Sequence, residues 1–285
     1  MQLKAIFKNL LPRSLLINHY KKRRTPRQTL KFEVHLAEHC NLNCSGCNNF
    51  SPLAKPEFMD IPGYINDLKR LNEIFGDRIE QVGLLGGEPL LNPDVAEIMA
   101  ITRTNLPKAD ISIVTNGLLL PKQNDEFWEA CVKYNIKLFV TKYPVKFDFD
   151  SIYKLAEEKG VELTLFGNTD KEEKSFLRVP FDLEGKQDKE LSYVMCNRAN
   201  GCIVLNKGRL YTCTTVAHIR HFGEYFAKEL EVTEEDSIDI YKENDADAIL
   251  KRLAEPIDFC RYCMVKDKVE HIKWGVSKKN LDEWI

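Results

Sequence analysis

Five short apolar runs alternate with amphipathic segments over residues 30–166, and this alternation most constrains the fold. The runs cover residues 30–36, 81–85, 111–115, 138–141 and 161–166. After the first unit they recur about every 25–30 residues, as strands do in consecutive βαβ units. We therefore expect a parallel α/β barrel or open sheet, with functional groups at the carboxyl ends of the strands.

The segments between these runs carry apolar residues at helical spacing. Helices are predicted around residues 61–75, 95–99, 127–134 and 150–160, and Asp150 is expected to cap the last of them. The alternation fades near residue 185. Residues 203–205 and 210–212 then flank an Asn-Lys-Gly turn in the pattern of a β-hairpin, and a further helix is predicted over 246–254.

Composition restricts the class of protein. A chain of 285 residues with 44% hydrophobic content can form one large domain, or one domain with a small appendage. A net charge of −2 argues against a nucleic-acid-binding protein. Nine cysteines are an odd number and fall in short spacings, which favours metal ligation over a disulfide framework. No secretory signal or bilayer-spanning stretch is apparent, so we expect a cytoplasmic protein.

Residues 1–28 differ in charge from the rest of the chain. They contain eight basic residues and no acidic one, which leaves the other 257 residues at −10. Residues 3–11 are also amphipathic. Two interpretations remain open at this point: a solvated N-terminal segment, or peripheral attachment to the anionic inner face of a membrane.

A first group of cysteines follows the first predicted strand. Cys40, Cys44 and Cys47 have the spacing Cys-x3-Cys-x2-Cys, and the next cysteine is Cys131. Three thiolates can hold three irons of a cubane cluster and leave one iron open to a ligand. A buried helix face is the first alternative, although the intervening Asn, Ser and Gly residues are poor helix formers. A zinc site with His39 as fourth ligand is the second.

Two further segments follow the second and third predicted strands. They are Gly86-Gly87-Glu88-Pro89 and Thr115-Asn116-Gly117. Together with the cysteine spacing they make residues 30–170 resemble the radical S-adenosylmethionine superfamily. The resemblance implies a partial (β/α)6-type TIM barrel. It also implies a catalytic [4Fe-4S] cluster on the three cysteines, with S-adenosylmethionine on the open iron. The cofactor is then cleaved to a 5′-deoxyadenosyl radical, which abstracts a substrate hydrogen.

The resemblance also implies roles for single residues. The segment Gly86 to Pro89 reaches the methionyl amino group, and residues Thr115 to Gly117 approach the ribose. Thr141 is placed to meet the methionyl carboxylate, while Lys142 and Tyr143 are candidates to face the substrate. Gly86 and Gly87 allow close backbone approach to the ligand, and Pro89 fixes the next turn. Such enzymes work anaerobically and take electrons from a flavodoxin- or ferredoxin-type donor.

A second group of cysteines lies in the last third of the chain. It consists of Cys196, Cys202, Cys213, Cys260 and Cys263, and no cysteine follows. The group resembles the shortened, twitch-like form of the SPASM auxiliary-cluster domain, which implies a second [4Fe-4S] cluster. Cys213, Cys260 and Cys263 are expected ligands. The fourth is Cys196 or Cys202, with Cys196 favoured, and a zinc ribbon is the alternative.

We accordingly divide the chain into a basic N-terminal segment (1–28), a barrel (29–185) and an auxiliary-cluster domain with a β-hairpin (186–285). Cys131 is expected to be a small buried hydrophobic residue.

The auxiliary cluster bears on the reaction. A fully ligated cluster suits acceptance of an electron, and so a two-electron oxidation at a hydroxyl-bearing carbon. A free thiol, either Cys196 or Cys202, would instead donate hydrogen in an epimerisation. The basic N-terminal segment is typical of enzymes beside membrane-linked glycans, which favours a sugar or polyol substrate. A peptide-modifying maturase is the alternative, and a non-enzymatic iron–sulfur redox partner is the third hypothesis.

Overall fold

A computed structural model describes residues 12–21, 25–167, 175–266 and 270–285. The predicted amphipathic stretch at residues 3–11 lies outside these ranges, as do five of the eight basic residues of the N-terminal segment. Within them, no helix is both long enough and apolar enough to cross a membrane.

The described part of the chain alternates strands and helices up to residue 166, as the sequence predicts. The helices are α1 (Arg13–Lys21), α2 (Ile61–Phe75), α3 (Val95–Asn105), α4 (Asp125–Lys133), α5 (Phe149–Glu158), α6 (Lys189–Met195), α7 (Thr214–His218), α8 (Arg220–Phe226) and α9 (Ala246–Leu253). The strands are β1 (Leu30–Ala37), β2 (Ile79–Gly86), β3 (Asp110–Thr115), β4 (Ile136–Thr141), β5 (Leu163–Phe166), β6 (Ser175–Arg178), β7 (Val204–Asn206), β8 (Arg209–Tyr211), β9 (Ser237–Asp239) and β10 (Glu270–Lys273).

One eight-stranded sheet holds most of these strands, in the order β5-β4-β3-β2-β1-β7-β8-β9. Strands β1 to β5 are parallel, and β7 pairs in parallel with β1, so the sheet has six parallel strands. The predicted hairpin is formed by β7 and β8, and it extends this sheet. The expected α/β fold of the partial (β/α)6 type is confirmed. The division of the chain at residues 28 and 185 stays a prediction.

The residue that caps the N-terminus of the predicted fourth helix differs from expectation. The carboxylate of Asp148 accepts hydrogen bonds from the backbone N–H groups of Asp150 and Ser151, at 3.0 and 3.1 Å. Asp148 is therefore the N-cap of α5, and the prediction of Asp150 is wrong. Both residues are acidic and two positions apart, so composition alone did not separate them.

The register of β1 and β2 determines where along the sheet the loops after these two strands begin. Val34 lies opposite Leu84, and a register shift after His35 brings Ala37 opposite Gly86. Because the two strands are parallel and end together, the loops after them leave the same edge of the sheet. This edge carries the first cysteine group and the Gly-Gly-Glu-Pro segment.

Two hydrophobic cores stabilise the chain. The first lies between the parallel strands and helices α2 to α5, and includes Leu68, Leu84 and Ile113, all fully buried. Each such side chain contributes about 1.5–3 kcal/mol on burial. The second, here called the aromatic core, contains Phe50, Phe181, Phe222, Phe259 and Trp284.

Helix α1 packs on the aromatic core through Leu16 and Ile17. Arg13 of this helix forms ion pairs with Asp188 and Glu190, at the start of α6. These contacts tie part of the basic N-terminal segment to the last third of the chain.

Candidate active site

The first cysteine group forms a loop after β1, here called the cysteine loop (residues 40–47). Asn43 and Gly46 have φ angles of 50° and 64°, which a right-handed helix does not contain. The buried-helix alternative is therefore wrong. Burial raises the pKa of the Cys40 thiol to about 12, and Glu88, Cys47 and Cys44 add to the effect. Ligand binding at this thiol therefore requires a metal that displaces the proton.

The spacing of the thiols bears on the zinc alternative. In a tetrahedral zinc site with Zn–S bonds of about 2.3 Å, the sulfur atoms lie about 3.8 Å apart. Among the described residues, no three donor atoms of the nine cysteines and His39 lie within 4.8 Å of one another. A cubane cluster places several metal atoms between its ligands and so needs a wider spacing. The spacing of the thiols thus fits an iron–sulfur cluster better than a single zinc ion.

The C-terminal segment (residues 270–285) contacts the cysteine loop at a ligand sulfur. The indole N–H of Trp274 donates to Cys44 Sγ, with 3.1 Å between nitrogen and sulfur. Cys44 also forms an isolated antiparallel bridge with Val276. The sequence carries no motif for Trp274, because the contact joins residues 230 positions apart.

Backbone and indole hydrogen bonds complete this contact. The Ser45 N–H donates to the Gly275 carbonyl at 2.8 Å, and the Ser277 N–H donates to the Asn43 carbonyl at 2.7 Å. The Trp284 indole, from the aromatic core, donates to the carbonyl of Cys47 at 3.0 Å. The C-terminal segment therefore holds residues 43–47 of the cysteine loop.

Gly86 and Gly87 pack against the backbone that leads into the cysteine loop. A Cβ atom on Gly86 would lie 2.3 Å from the Ala37 carbonyl oxygen, and one on Gly87 would lie 2.2 Å from that of His39. Gly87 N–H donates to Ala37 O at 2.8 Å, and Glu88 N–H donates to His39 O at 3.0 Å. The sequence analysis expected the close approach to be to a ligand. The structure shows that the chain's own residues 37–39 already require it.

Glu88 is fully buried and joins the loop after β2 to the loop after β3. Its carboxylate accepts the Thr115 hydroxyl at 2.5 Å, the Asn116 N–H at 2.9 Å and the Leu90 N–H at 3.1 Å. Burial raises the pKa of Glu88 to about 7, and these hydrogen bonds oppose that rise. The Glu88 side chain therefore links the loop after β2 to the loop after β3 by hydrogen bonds within the protein.

Asn116 closes the connection back to the cysteine loop. Its side-chain amide donates to Asn41 Oδ1 at 2.7 Å and lies 3.9 Å from Cys40 Sγ. Gly117 follows with a φ of +79°, which favours glycine. The structure thus brings the three predicted segments together at one edge of the sheet. Their roles in cofactor binding remain predictions.

The two residues that follow β4, Lys142 and Tyr143, have side chains in different places. Tyr143 is half-buried, and its ring meets Trp274 edge-on with 6.2 Å between centroids. Burial raises the Tyr143 pKa, and the thiols of the cysteine loop raise it further, so Tyr143 lies beside that loop. Lys142 Nζ instead lies 3.8 Å from Asp150 at the start of α5. Thr141 is half-buried at the end of β4 and is paired with Phe166 of β5.

Four of the five C-terminal cysteines influence one another. Burial raises the pKa of the Cys263 thiol well above its ordinary value, and Cys260, Cys213 and Cys196 raise it further. The four thiols are therefore near enough for the charge of one to act on the others. Cys131 is elsewhere, buried in the first core as a small apolar residue, as expected.

Cys202 has a different environment. Burial raises its pKa to about 11, Glu33 adds to that effect, and Cys196 contributes less. Glu33 itself has its pKa raised to about 7 by burial. It faces the side of the sheet opposite Phe32 and Val34, which pack in the first core with α2. The sequence analysis did not identify Glu33, since one acid in a strand carries no motif.

Comparisons with known proteins agree with this geometry. Residues 34–142 match the family described as the radical SAM superfamily. The probable GTP 3′,8-cyclase of Pyrococcus abyssi is 32% identical over 140 residues, which cover 48% of this chain and 44% of that protein. Molybdenum cofactor biosynthesis protein 1 of Homo sapiens is 32% identical over 126 residues, covering 43% of this chain and 19% of the relative. The chain thus spans less than half the length of these curated relatives.

A solved structure extends the likeness to most of the fold. The crystal structure of BtrN in complex with AdoMet and 2-DOIA superposes with a TM-score of 0.53 at 19% identity. The superposition covers 86% of this chain and 100% of that one, so the two share a fold. Residues 34–142 are thus similar to the radical SAM superfamily, and the chain shares its fold with BtrN.

Proposed function

We propose that this enzyme oxidises a hydroxyl-bearing carbon of a sugar or polyol, with two [4Fe-4S] clusters. The catalytic cluster is held by Cys40, Cys44 and Cys47. The auxiliary cluster is held by Cys196, Cys213, Cys260 and Cys263. The observation that carries the proposal is the second set of four mutually interacting thiols in a chain whose first set has three.

The residues around the first site support its proposed role. When bound, the cluster and S-adenosylmethionine supply the one-electron chemistry that removes a hydrogen atom from the substrate. Glu88 fixes the loops after β2 and β3 relative to each other, and Asn116 fixes the latter against the cysteine loop. Tyr143 and Trp274 contact each other, and Trp274 donates a hydrogen bond to Cys44 Sγ on another side of the loop.

The four auxiliary thiols leave no position for a substrate on a four-iron cluster. Such a cluster is suited to take up the electron that a substrate radical must lose in a two-electron oxidation. Cys196 is preferred to Cys202 as fourth ligand, because the groups that act most on Cys213, Cys260 and Cys263 include Cys196 but not Cys202.

Epimerisation is the second candidate, and Cys202 is the observation that favours it. This thiol is not among the groups that act most on Cys213, Cys260 and Cys263, and the half-buried carboxylate of Glu33 raises its pKa. A free thiol in that position can return a hydrogen atom to a substrate radical. The matches to GTP 3′,8-cyclases cover less than half of the chain, so their substrate is not part of the proposal.

The test is turnover in deuterated water under anaerobic conditions, with S-adenosylmethionine, a chemical reductant and a panel of sugars and polyols. Oxidation yields a product two mass units lighter than its substrate, with 5′-deoxyadenosine formed in step. Epimerisation yields a product one mass unit heavier, because a thiol exchanges its proton with solvent before donating hydrogen. If no sugar or polyol increases 5′-deoxyadenosine formation while a peptide does, the substrate class is wrong and the maturase alternative is correct.

The basic N-terminal segment suggests that the enzyme binds its substrate at an anionic membrane, which this segment contacts peripherally. Each basic residue near such a surface contributes about 1 kcal/mol. Arg13 is engaged by Asp188 and Glu190, so we assign the contact to the basic residues around it, such as Lys4 and Lys8. Sedimentation with phosphatidylserine vesicles should fall when both lysines are changed to Glu. Equal sedimentation of variant and wild type would contradict the contact.

A further inference from the structure

A buried group of histidines and one glutamate lies beside the cysteine loop and has no part in the proposed reaction. It comprises His35 at the end of β1, Glu38 just after it and His218 at the end of α7. All three residues are at most 8% exposed. One donor atom from each lies within 4.8 Å of the other two.

The distances within this group are those of ligands around one ion. His35 Nδ1 lies 3.3 Å from Glu38 Oε2, and His218 Nδ1 lies 3.2 Å from the same oxygen. In a tetrahedral site with bonds of about 2.0–2.1 Å to nitrogen and oxygen, neighbouring donor atoms lie about 3.3–3.4 Å apart. The separations therefore suit a single small cation.

Several ring nitrogens of this group lack a hydrogen-bond partner among the described residues. Neither ring nitrogen of His218 has a hydrogen-bond partner among the described residues, and His35 Nε2 has none there either. Buried polar atoms without partners are rare and costly, and an ion is one of the groups that resolves them. The rings of His35 and His218 stack, with centroids 3.5 Å apart, so one ring must turn to bring both lone pairs onto one ion. Turning His218 moves its Nδ1 away from the 3.2 Å contact with Glu38 Oε2.

The surroundings supply the support that metal ligands need. His221 Nε2 lies 2.8 Å from Glu38 Oε2 and orients the carboxylate. Beside the group is a cavity of about 300 Å³, lined by His35, Glu38 and His218 and by the acidic residues Glu57, Asp60 and Asp67. The cavity leaves a coordination position open. Glu38 and Asp60 contribute negative charge there, while Glu57 is paired with Arg220 and Lys207.

We propose that His35, Glu38 and His218 bind a divalent first-row transition ion, with the fourth position open to the cavity. Two imidazoles and a carboxylate are the donor set of three-ligand zinc sites, so Zn²⁺ is the ion that we assign. The site is separate from both cysteine groups and does not depend on the proposed oxidation.

The test measures metals in the complete enzyme, purified anaerobically from medium supplemented with Zn²⁺. We expect about one zinc per chain in addition to the cluster iron. X-ray absorption at the zinc edge should show only nitrogen and oxygen neighbours, at about 2.0–2.1 Å. Zinc with sulfur neighbours at about 2.3 Å would mean zinc in a cysteine site and would overturn the proposal. Absence of zinc from protein with full iron content would also overturn it.

Two variants sharpen this result. His218→Gln should lose the zinc and retain the iron, whereas His221→Gln, which changes only the residue that orients Glu38, should keep most of the zinc. Retention of zinc by folded His218→Gln protein would refute the ligand assignment. If that variant fails to fold, the absorption spectrum of the wild-type enzyme still decides between the outcomes.

Discussion

The hydrogen bond from Trp274 to Cys44 should set part of the reduction potential of the catalytic cluster. Trp274→Phe removes the indole N–H that lies 3.1 Å from Cys44 Sγ and keeps an aromatic ring beside Tyr143. Hydrogen bonds to the sulfur ligands are one of the factors that set iron–sulfur potentials. Because reduction adds negative charge, the bond is stronger in the reduced state, and its loss should lower the potential.

The size of this effect follows from the energy of the bond. A hydrogen bond to a charged group contributes about 1.5–3 kcal/mol in total. If about 1 kcal/mol of this differs between the two redox states, the potential falls by about 40 mV, since a one-electron couple shifts 59 mV per tenfold change in equilibrium constant. Electron paramagnetic resonance during an anaerobic redox titration measures the shift.

Trp284→Phe is the matched control. It removes an indole N–H that donates to the carbonyl of Cys47 rather than to a sulfur atom. We expect its potential to stay within about 10 mV of wild type, because the lost bond is not made to a ligand atom. An unshifted potential in iron-replete Trp274→Phe protein would refute the reasoning, and so would equal shifts in the two variants.

Three further predictions concern other residues. Gly87→Ala should lower the melting temperature and the iron content, because its Cβ would lie 2.2 Å from His39 O, whereas Gly275→Ala, with nothing within 4 Å, should change neither. Glu33→Gln should be more stable than wild type at pH 8 by about 3 kcal/mol and equal to it near pH 4. The reason is that the pKa of Glu33 is raised from 4.5 to about 7, so the wild type loses stability as pH rises between these values. Denaturant unfolding of both proteins at pH 4 and pH 8 measures the difference in stability. The same difference at both pH values would contradict the prediction. Cys196→Ser should lose about half of the iron and Cys202→Ser almost none, and the reverse result would exchange their roles.

The parallel strands and the cysteine loop could be predicted because their signals are local. Strand periodicity, the short cysteine spacing and the glycine-containing loops each lie within a few residues of sequence. The order of parallel strands then brings the loops after β1, β2 and β3 to one edge. Glycine indicates a close approach without naming the neighbour, so a ligand beside Gly87 stays a prediction.

The parts that escaped prediction depend on contacts between distant positions. Trp274 and Cys44 are 230 residues apart, and His218 lies 180 residues from Glu38. Nothing in the local sequence marks these partners, and histidine or tryptophan alone has many roles. The attachment of the hairpin to β1 also escaped, because one backbone pairing between Glu33 and Val204 leaves no pattern in the sequence.

The contact between the cysteine loop and the C-terminal segment has a consequence for biosynthesis. A ribosome makes residues 40–47 long before it makes Trp274 and Trp284, which hold that loop in the finished protein. A nascent chain therefore displays three thiols on a loop without its outer support. The final conformation of the cysteine loop can therefore form only after Trp274 and Trp284 have been synthesised.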